Sequence, residues 1–250
     1  MLSGPWEVFG AHDYQRLLRR WQGIARRTRL EMHELTRADG WPVVMLSRGR
    51  GGFFISAGIH GDEPAGCEAL ACWAEQEEKF LSATECSIFP CLNPWGLIYN
   101  SRFDSRGRDL NRCYDRRGPA VVAAQRRCIR GGSFVQALTL HEDFDARGVY
   151  LYDVGGASPQ DGRRLISAAA KFLPLESRRS VEGMRCKEGL IWRRRQPRRI
   201  DQGLPEALWL HKSGCPRVWT LETPSEMDLR LRVEAQVAAL GEFRRLFLEA

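Results

Sequence analysis

The stretch Gly58-Ile59-His60-Gly61-Asp62-Glu63-Pro64 constrains the fold more than any other part of the chain. The apolar run at 53–57 before it predicts a buried strand, and a helical pattern begins at Pro64. His60 and Glu63 therefore fall on a tight turn at the carboxyl end of a strand, where open α/β sheets place their ligand sites. Imidazole and carboxylate are both good zinc ligands. Taken alone, such a pair is more often a surface ion pair or a helix cap.

The rest of the chain alternates between helical and strand patterns. An amphipathic helix is predicted at 12–27, with strands at 30–36 and 42–47 after it. Further strands are predicted at 85–92, 134–140, 149–153, 207–211 and 217–221, and further helices at 64–81, 119–128, 158–172 and 226–248. Residues 93–115 and 175–204 lack a clear period and are predicted to be a functional loop and a surface excursion. Buried strand runs between helices predict an α/β sheet covered on both faces.

Composition narrows the class of protein. A length of 250 residues is enough for one well-buried domain. The eight cysteines are scattered without a Cys-x-x-Cys pair, which disfavours a thiolate zinc site. The chain shows no signal-peptide pattern and no apolar run near the roughly 20 residues that span a membrane. We therefore expect a cytoplasmic protein with no membrane partner.

The formal net charge of +7 raises the question of a nucleic-acid partner. The basic residues cluster at 16–29 and 193–199. The first cluster lies on the polar side of a predicted amphipathic helix, and the second has no aromatic platform. We expect solvated surface and no nucleic acid, although the positive potential would also suit steering of a polyanionic small substrate.

Polar groups also follow two other predicted strands. His141 comes directly after the run at 134–140, and Glu222 directly after the run at 217–221. Each alone has an ordinary explanation, since a histidine at a strand end is often a core residue and a glutamate there often neighbours a helix cap. The loop at 101–112 adds arginines and an asparagine that could hold an anionic end of a substrate.

Together these motifs resemble the zinc metallocarboxypeptidase family in its broad sense, which includes murein tripeptide amidases and the succinylglutamate desuccinylase–aspartoacylase branch. The matching pieces fall in the family's order across residues 53–224. They are Gly58–Glu63, Asn93–Gly96, Arg102 with Asp109–Arg112, Thr139–His141 and Thr220–Thr223. The resemblance implies a single catalytic domain over residues 1–250, with a mixed central β-sheet flanked by helices on both faces.

The resemblance also implies a metal and a catalytic base. His60, Glu63 and His141 would bind one Zn²⁺ per chain, the His₂Glu set of catalytic zinc sites. Glu222 would be the general base and proton shuttle. Arg102 would polarise the scissile carbonyl and stabilise the oxyanion.

Further residues would position and bind the substrate. By resemblance, Asn111 and Arg112 would hold its carboxylate, and Asp109 would orient the first histidine ligand. Larger carboxypeptidases carry a mobile tyrosine over the substrate, and Tyr150 and Tyr152 are the nearest candidates here.

The chain departs from the family in ways that bear on function. Trp95 stands where the family has an aspartate, and the acidic pair Glu142-Asp143 follows His141, where it would tune the metal or contact a cationic substrate group. No second domain like that of aspartoacylase is evident. We therefore expect a metallocarboxypeptidase or murein-peptide amidase that cleaves an amide bond next to a free carboxylate in a small peptide. The alternative is an N-acyl amino acid deacylase of the aspartoacylase/succinylglutamate desuccinylase type, and a remote one is a non-catalytic binding module. The oligomeric state stays open.

Overall fold

One large mixed β-sheet organises the chain, as seen in a computed structural model that describes residues 8–115, 118–155, 159–192 and 203–250. The strands are β1 (Glu31–Ala38), β2 (Trp41–Arg48), β3 (Gly51–Ala57), β4 (Cys86–Phe89), β5 (Ser133–Asp143), β6 (Tyr150–Asp153), β7 (Ser180–Val181), β8 (Met184–Arg185), β9 (Leu190–Trp192) and β10 (Arg217–Pro224). Eight of them form the sheet in the order β1-β2-β4-β3-β5-β10-β6-β9, while β7 and β8 form a separate hairpin. The central strands β4, β3, β5 and β10 are mutually parallel.

Helices cover both faces of this sheet. They are α1 (Val8–Ala11), α2 (Tyr14–Thr28), α3 (Pro64–Gln76), α4 (Glu78–Leu81), α5 (Pro94–Tyr99), α6 (Ala120–Arg130), α7 (Gln160–Ala169), α8 (Glu206–Lys212) and α9 (Leu229–Leu248). Side chains of β3 alternate between two cores, as a pleated strand requires. Phe53 and Ile55 pack with α2, α3, α7 and α9, whereas Phe54 packs with α6 and α8. The predicted α/β fold class, with a mixed sheet flanked on both faces, is confirmed.

Aspartate caps shift two helix starts from their predicted positions. The helix predicted at 12–27 begins at Tyr14, because the Asp13 carboxylate accepts a hydrogen bond from the backbone N–H of Arg16. The C-terminal helix predicted at 226–248 begins only at Leu229, where Asp228 plays the same role. Aspartate is a favoured N-cap because its side chain satisfies an N–H that has no partner within the helix.

The strand predicted at 207–211 is wrong, because these residues belong to α8. A short apolar run does not distinguish a buried strand from a buried helix turn. The flanking charges favour the helix, with Glu206 in its first turn and His211 and Lys212 in its last. The segments predicted to be irregular also hold structure, since 93–115 contains α5 and 175–204 contains β7, β8 and β9. The basic run at 193–199 lies outside the described residues.

The basic side of α2 is partly neutralised by the helices beside it. Arg20 pairs with Glu68 at 2.7 Å and with Glu75 at 2.9 Å, and Arg27 pairs with Glu78. Part of this cluster therefore holds α2 against α3 and α4, which the prediction of a solvated face did not include. The eight cysteines all lie in the described ranges, and none of them forms a disulfide bond. Across the described ranges, no helix combines the length and apolar content needed to cross a membrane.

Candidate metal centre

Three neighbouring strands bring the candidate residues to one edge of the sheet. β3, β5 and β10 are parallel, so their carboxyl ends lie side by side. His60 follows β3 after a short turn, and His141 lies near the end of β5. Glu222 on β10 is the direct register partner of His141, so the two side chains share one face of the sheet.

Two glycines let the turn after β3 pass close to other backbone. Gly58 has a left-handed φ of 62°, which favours glycine. At Gly61 a Cβ would lie 1.9 Å from the carbonyl carbon of Gly96, so no larger residue fits. The Asn93 carboxamide oxygen accepts from the Gly96 N–H at 2.9 Å and caps α5. Trp95 packs against Tyr99, with ring centroids 4.8 Å apart and ring planes inclined at 37°. The segment Asn93–Gly96 therefore packs directly against the turn that carries His60.

His60, Glu63 and His141 converge as a buried cluster. His60 Nδ1 lies 2.5 Å from Glu63 Oε1, and His141 Nδ1 lies 2.9 Å from Glu63 Oε2. The three side chains are only 2, 5 and 3% exposed. One donor atom from each lies within 4.8 Å of the other two. The structure thus brings together His141 and the His60–Glu63 turn, which lie about 80 residues apart in the sequence.

Asp109 and Arg102 form a second layer around this cluster. His60 Nε2 donates to Asp109 Oδ1 at 3.2 Å, because a carboxylate can only accept. This bond leaves His60 Nδ1 as the nitrogen that faces the cluster. Arg102 donates to Asp109 Oδ2 at 3.0 Å and reaches Glu63 Oε1 at 3.4 Å. Asp109 therefore stands where the sequence predicted a residue that orients the first histidine.

The electrostatics of the cluster follow from burial and close pairing. Burial opposes a charge on His60, but the attraction of Glu63 and the hydrogen bond to Asp109 outweigh it and raise its pKa to about 9. Burial likewise disfavours the Glu63 carboxylate, yet the two histidines hold its pKa well below the usual range. Burial raises the pKa of Glu222 to about 8, opposed by His141 and reinforced by nearby carboxylates, Glu63 foremost. The centre thus holds several ionisable groups close together, and a bound cation would change the interactions among them.

The donor set fits a divalent metal ion. Two imidazole nitrogens and one carboxylate are the ligands of catalytic His₂Glu zinc sites. The carboxylate that holds the distal nitrogen of His60 is also typical, since ligating histidines almost always donate their other N–H to an acceptor. Buried carboxylate and imidazole groups at these distances would otherwise depend on a shared proton to offset their desolvation.

The cluster of His60, Glu63 and His141 opens into a cavity of about 1290 Å³. Arg102, Asn111 and Arg112 all line this cavity. The Asn111 carboxamide oxygen is already used, because it accepts from the backbone N–H of Glu206 at 2.9 Å. Its Nδ2 group is therefore the part available as a hydrogen-bond donor. Sequence reasoning missed this contribution of Glu206.

Tyr150 and Tyr152 line the same cavity from β6. Tyr150 is the register partner of Glu222, and its hydroxyl donates to Asp143 at 2.9 Å. The Tyr152 hydroxyl donates to Glu182 at 3.1 Å. Both tyrosines lie on β6 and each hydroxyl contacts an acidic side chain, so together they form one wall of the cavity.

Comparison with known proteins agrees with this geometry. The sequence model of the succinylglutamate desuccinylase/aspartoacylase catalytic domain matches residues 52–138, about a third of the chain. The matched part includes His60, Glu63, Arg102 and Asn111, and ends before His141. No curated protein sequence matches the chain.

Solved structures share the whole fold. A candidate metallopeptidase from Shewanella amazonensis SB2B is similar with a TM-score of 0.84 and 23% identity, over 99% of this chain and 98% of its own. A metallo-carboxypeptidase from Burkholderia cenocepacia has a TM-score of 0.72 and 16% identity, over 94% of this chain and 69% of its own. The chain has the metallocarboxypeptidase fold. The same carboxypeptidase fold occurs in a metallo-carboxypeptidase from Pseudomonas aeruginosa in complex with (2-guanidinoethylmercapto)succinic acid, with a TM-score of 0.61 and 17% identity over 93% of this chain and 68% of its own. The predicted resemblance to the broad zinc-carboxypeptidase-like family is thereby confirmed.

Proposed function

We propose that the chain is a zinc-dependent hydrolase that cleaves an amide bond next to a free carboxylate, as a metallocarboxypeptidase or murein-peptide amidase. The observation that carries the proposal is the buried cluster of His60, Glu63 and His141 with Glu222 beside it. Its location in a large cavity with a separate set of hydrogen-bond donors supports a substrate-sized ligand. The carboxypeptidase-like fold supports the same reaction class.

In this proposal His60, Glu63 and His141 hold one zinc ion. When bound, zinc would supply Lewis acidity that polarises the scissile carbonyl and lowers the pKa of a coordinated water. Asp109 fixes the His60 ring through the hydrogen bond at its distal nitrogen.

Glu222 acts as the general base and then as the acid. Its carboxylate lies beside His141 on the adjacent strand, within the cavity. It takes a proton from the attacking water and delivers it to the leaving nitrogen. A pKa raised by burial suits both halves of this transfer, since the best proton-transfer groups titrate near the working pH.

The donor wall binds and orients the substrate. Arg102 donates to the carbonyl oxygen as negative charge develops there. Asn111 Nδ2 and the Arg112 guanidinium bind the free carboxylate, since a guanidinium can pair with a carboxylate through two N–H groups. The compound in complex with the Pseudomonas metallo-carboxypeptidase is a succinic acid derivative, and this chemistry is consistent with a carboxylate-bearing small substrate. Tyr150 and Tyr152 contact the substrate from β6, the strand next to the one that carries Glu222.

The second candidate is an N-acyl amino acid deacylase, and the match of residues 52–138 to the succinylglutamate desuccinylase/aspartoacylase domain favours it. Both reactions break an amide bond beside a carboxylate, so the same residues would serve either one. A cytoplasmic location and the absence of a nucleic-acid partner stay predictions from the sequence.

One competition experiment separates the candidates. The zinc-loaded protein is incubated with an equimolar mixture of L-Ala-γ-D-Glu-diaminopimelate and acylated amino acids, and products are followed by mass spectrometry with a chelated control. Chelator-sensitive loss of the peptide supports the peptidase, and loss of an acyl amino acid supports the deacylase. A purified protein that takes up no stoichiometric divalent metal would refute both and favour a binding module.

A further inference from the structure

Glu142 is a buried carboxylate beside the metal centre to which the proposed reaction assigns no role. Glu142 is only 4% exposed. Oε2 accepts from the backbone N–H of Ala65 at 2.9 Å, and Oε1 accepts from Arg232 Nη1. The Thr223 hydroxyl lies 3.4 Å from Oε1 and completes the set. Both oxygens of this carboxylate are therefore occupied by partners from other elements.

Each segment that this carboxylate joins carries a group of the centre. Glu142 itself follows His141 on β5. Ala65 lies two residues after Glu63 at the start of α3, and Thr223 follows the proposed base on β10. One side chain thus links the ends of two strands and the start of a helix.

Two side chains of helix α9 contact the same segments. Arg232 is 8% exposed, lies on this helix, and is the ion-pair partner of Glu142. One helical turn later, Gln236 Nε2 donates to the backbone carbonyl of His141 at 3.2 Å and to Thr223 Oγ1 at 2.9 Å. Residues four apart lie on the same helix face, so both reach the strand ends together.

We propose that Glu142 and Arg232 are positioning residues, which hold the metal-ligating segments and Glu222 at their working separation. The inference rests on the proposed metal site, but it concerns how the chain builds that site and not which substrate it takes. Outer partners of metal ligands typically change metal affinity about 10- to 100-fold when they are mutated. Glu142 contacts no ligand side chain, but its partners adjoin the ligand-bearing segments, and we take this range as the expected scale.

The test compares metal binding by three variants with the unaltered protein. Glu142→Gln removes the charge, Thr223→Val removes only the hydroxyl, and E142Q/R232M removes the pair without leaving one charge unpaired. Zinc dissociation constants are measured by chelator competition, and the site is examined by the visible absorption spectrum of bound Co²⁺. We expect E142Q to bind zinc about 10- to 100-fold more weakly with an altered Co²⁺ spectrum. T223V should lose less zinc affinity than E142Q. In both variants, kcat should fall by a larger factor than KM rises.

Glu68→Gln is the matched control. Glu68 is also a buried α3-associated carboxylate, 2% exposed and paired with Arg20 at 2.7 Å, but its ion-pair partners lie on α2. E68Q should lower the melting temperature yet leave zinc affinity and the Co²⁺ spectrum unchanged. The inference is overturned if E142Q and T223V lose only thermal stability, as E68Q does, and keep the zinc affinity of the unaltered protein. If the unaltered protein binds no metal, both the proposed function and this inference are refuted.

Discussion

The metal-free protein should become less stable as the pH rises from about 6.5 to 9, and its affinity for zinc should increase over the same range. His60 is the cause. Glu63 and Asp109 raise its pKa from 6.5 to about 9 against the opposing effect of burial. A histidine whose pKa is higher in the folded state contributes stability below its unfolded pKa, and that contribution disappears as the pH passes the folded value.

The size of the effect follows from the difference between the two pKa values. One pKa unit corresponds to about 1.36 kcal/mol, so a rise from 6.5 to about 9 makes the His60 contribution to the free energy of unfolding at most about 3–4 kcal/mol. Zinc must displace the same proton, because only the neutral imidazole is a ligand. Below pH 9 the binding constant should therefore rise by up to about tenfold per pH unit, and binding at pH 7 should release about one proton from His60.

Urea unfolding of the chelator-treated protein, repeated from pH 6 to 9.5, measures the first effect. Calorimetry of zinc binding in buffers with different ionisation enthalpies measures the proton release. His60→Gln is the control, because Glu222 has a raised pKa and adds a slope of the same sign. Only the difference between the two proteins reports on His60. A difference that stays constant, or that grows in favour of the unaltered protein as the pH rises, would refute the reasoning.

Three further substitutions test single roles. Glu222→Gln should keep zinc affinity while kcat falls by about 10²- to 10⁴-fold, and a chelator titration beside the kinetic assay checks both. Asp109→Asn should weaken zinc binding about 10- to 100-fold, because the amide no longer holds the distal nitrogen of His60 as a charged acceptor; unchanged affinity would contradict the assigned contact. Arg112→Met should raise KM for a substrate with a free carboxylate and leave KM for its amidated analogue unchanged, so equal effects on both would count against the carboxylate contact.

The sequence predicted the centre better than the elements around it. His60 and Glu63 belong to one strand–turn–helix signal, and His141 and Glu222 each end an apolar strand run. Such local signals suffice because parallel strands present their carboxyl ends at the same edge. The resemblance then combined them into a set, and its four members lie together at that edge.

The contacts that support the centre had no local signal. Asn111 meets the backbone of Glu206 across 95 residues, at a helix that the apolar pattern presented as a strand. Arg232 lies in a helix where an arginine normally indicates the solvated face, and only the packing of α9 against the strand ends shows that it is buried. These positions depend on tertiary packing, which neither period nor propensity encodes.

The net charge of the whole chain likewise does not describe the charge of the proposed ligand site. The whole chain carries +7, yet many of its arginines pair with acidic residues, as on α2. The cavity has the opposite balance. Its carboxylates are Asp62, Glu63, Glu142, Asp143, Asp145, Glu182, Glu222 and Glu226, against the arginines Arg102, Arg112 and Arg232. A divalent cation would offset part of this excess, and the carboxylate of a substrate would still need the separate donors of the loop at 102–112. The local arrangement of charge, and not the total, therefore supports a metal and a small acid over a polyanion as ligands.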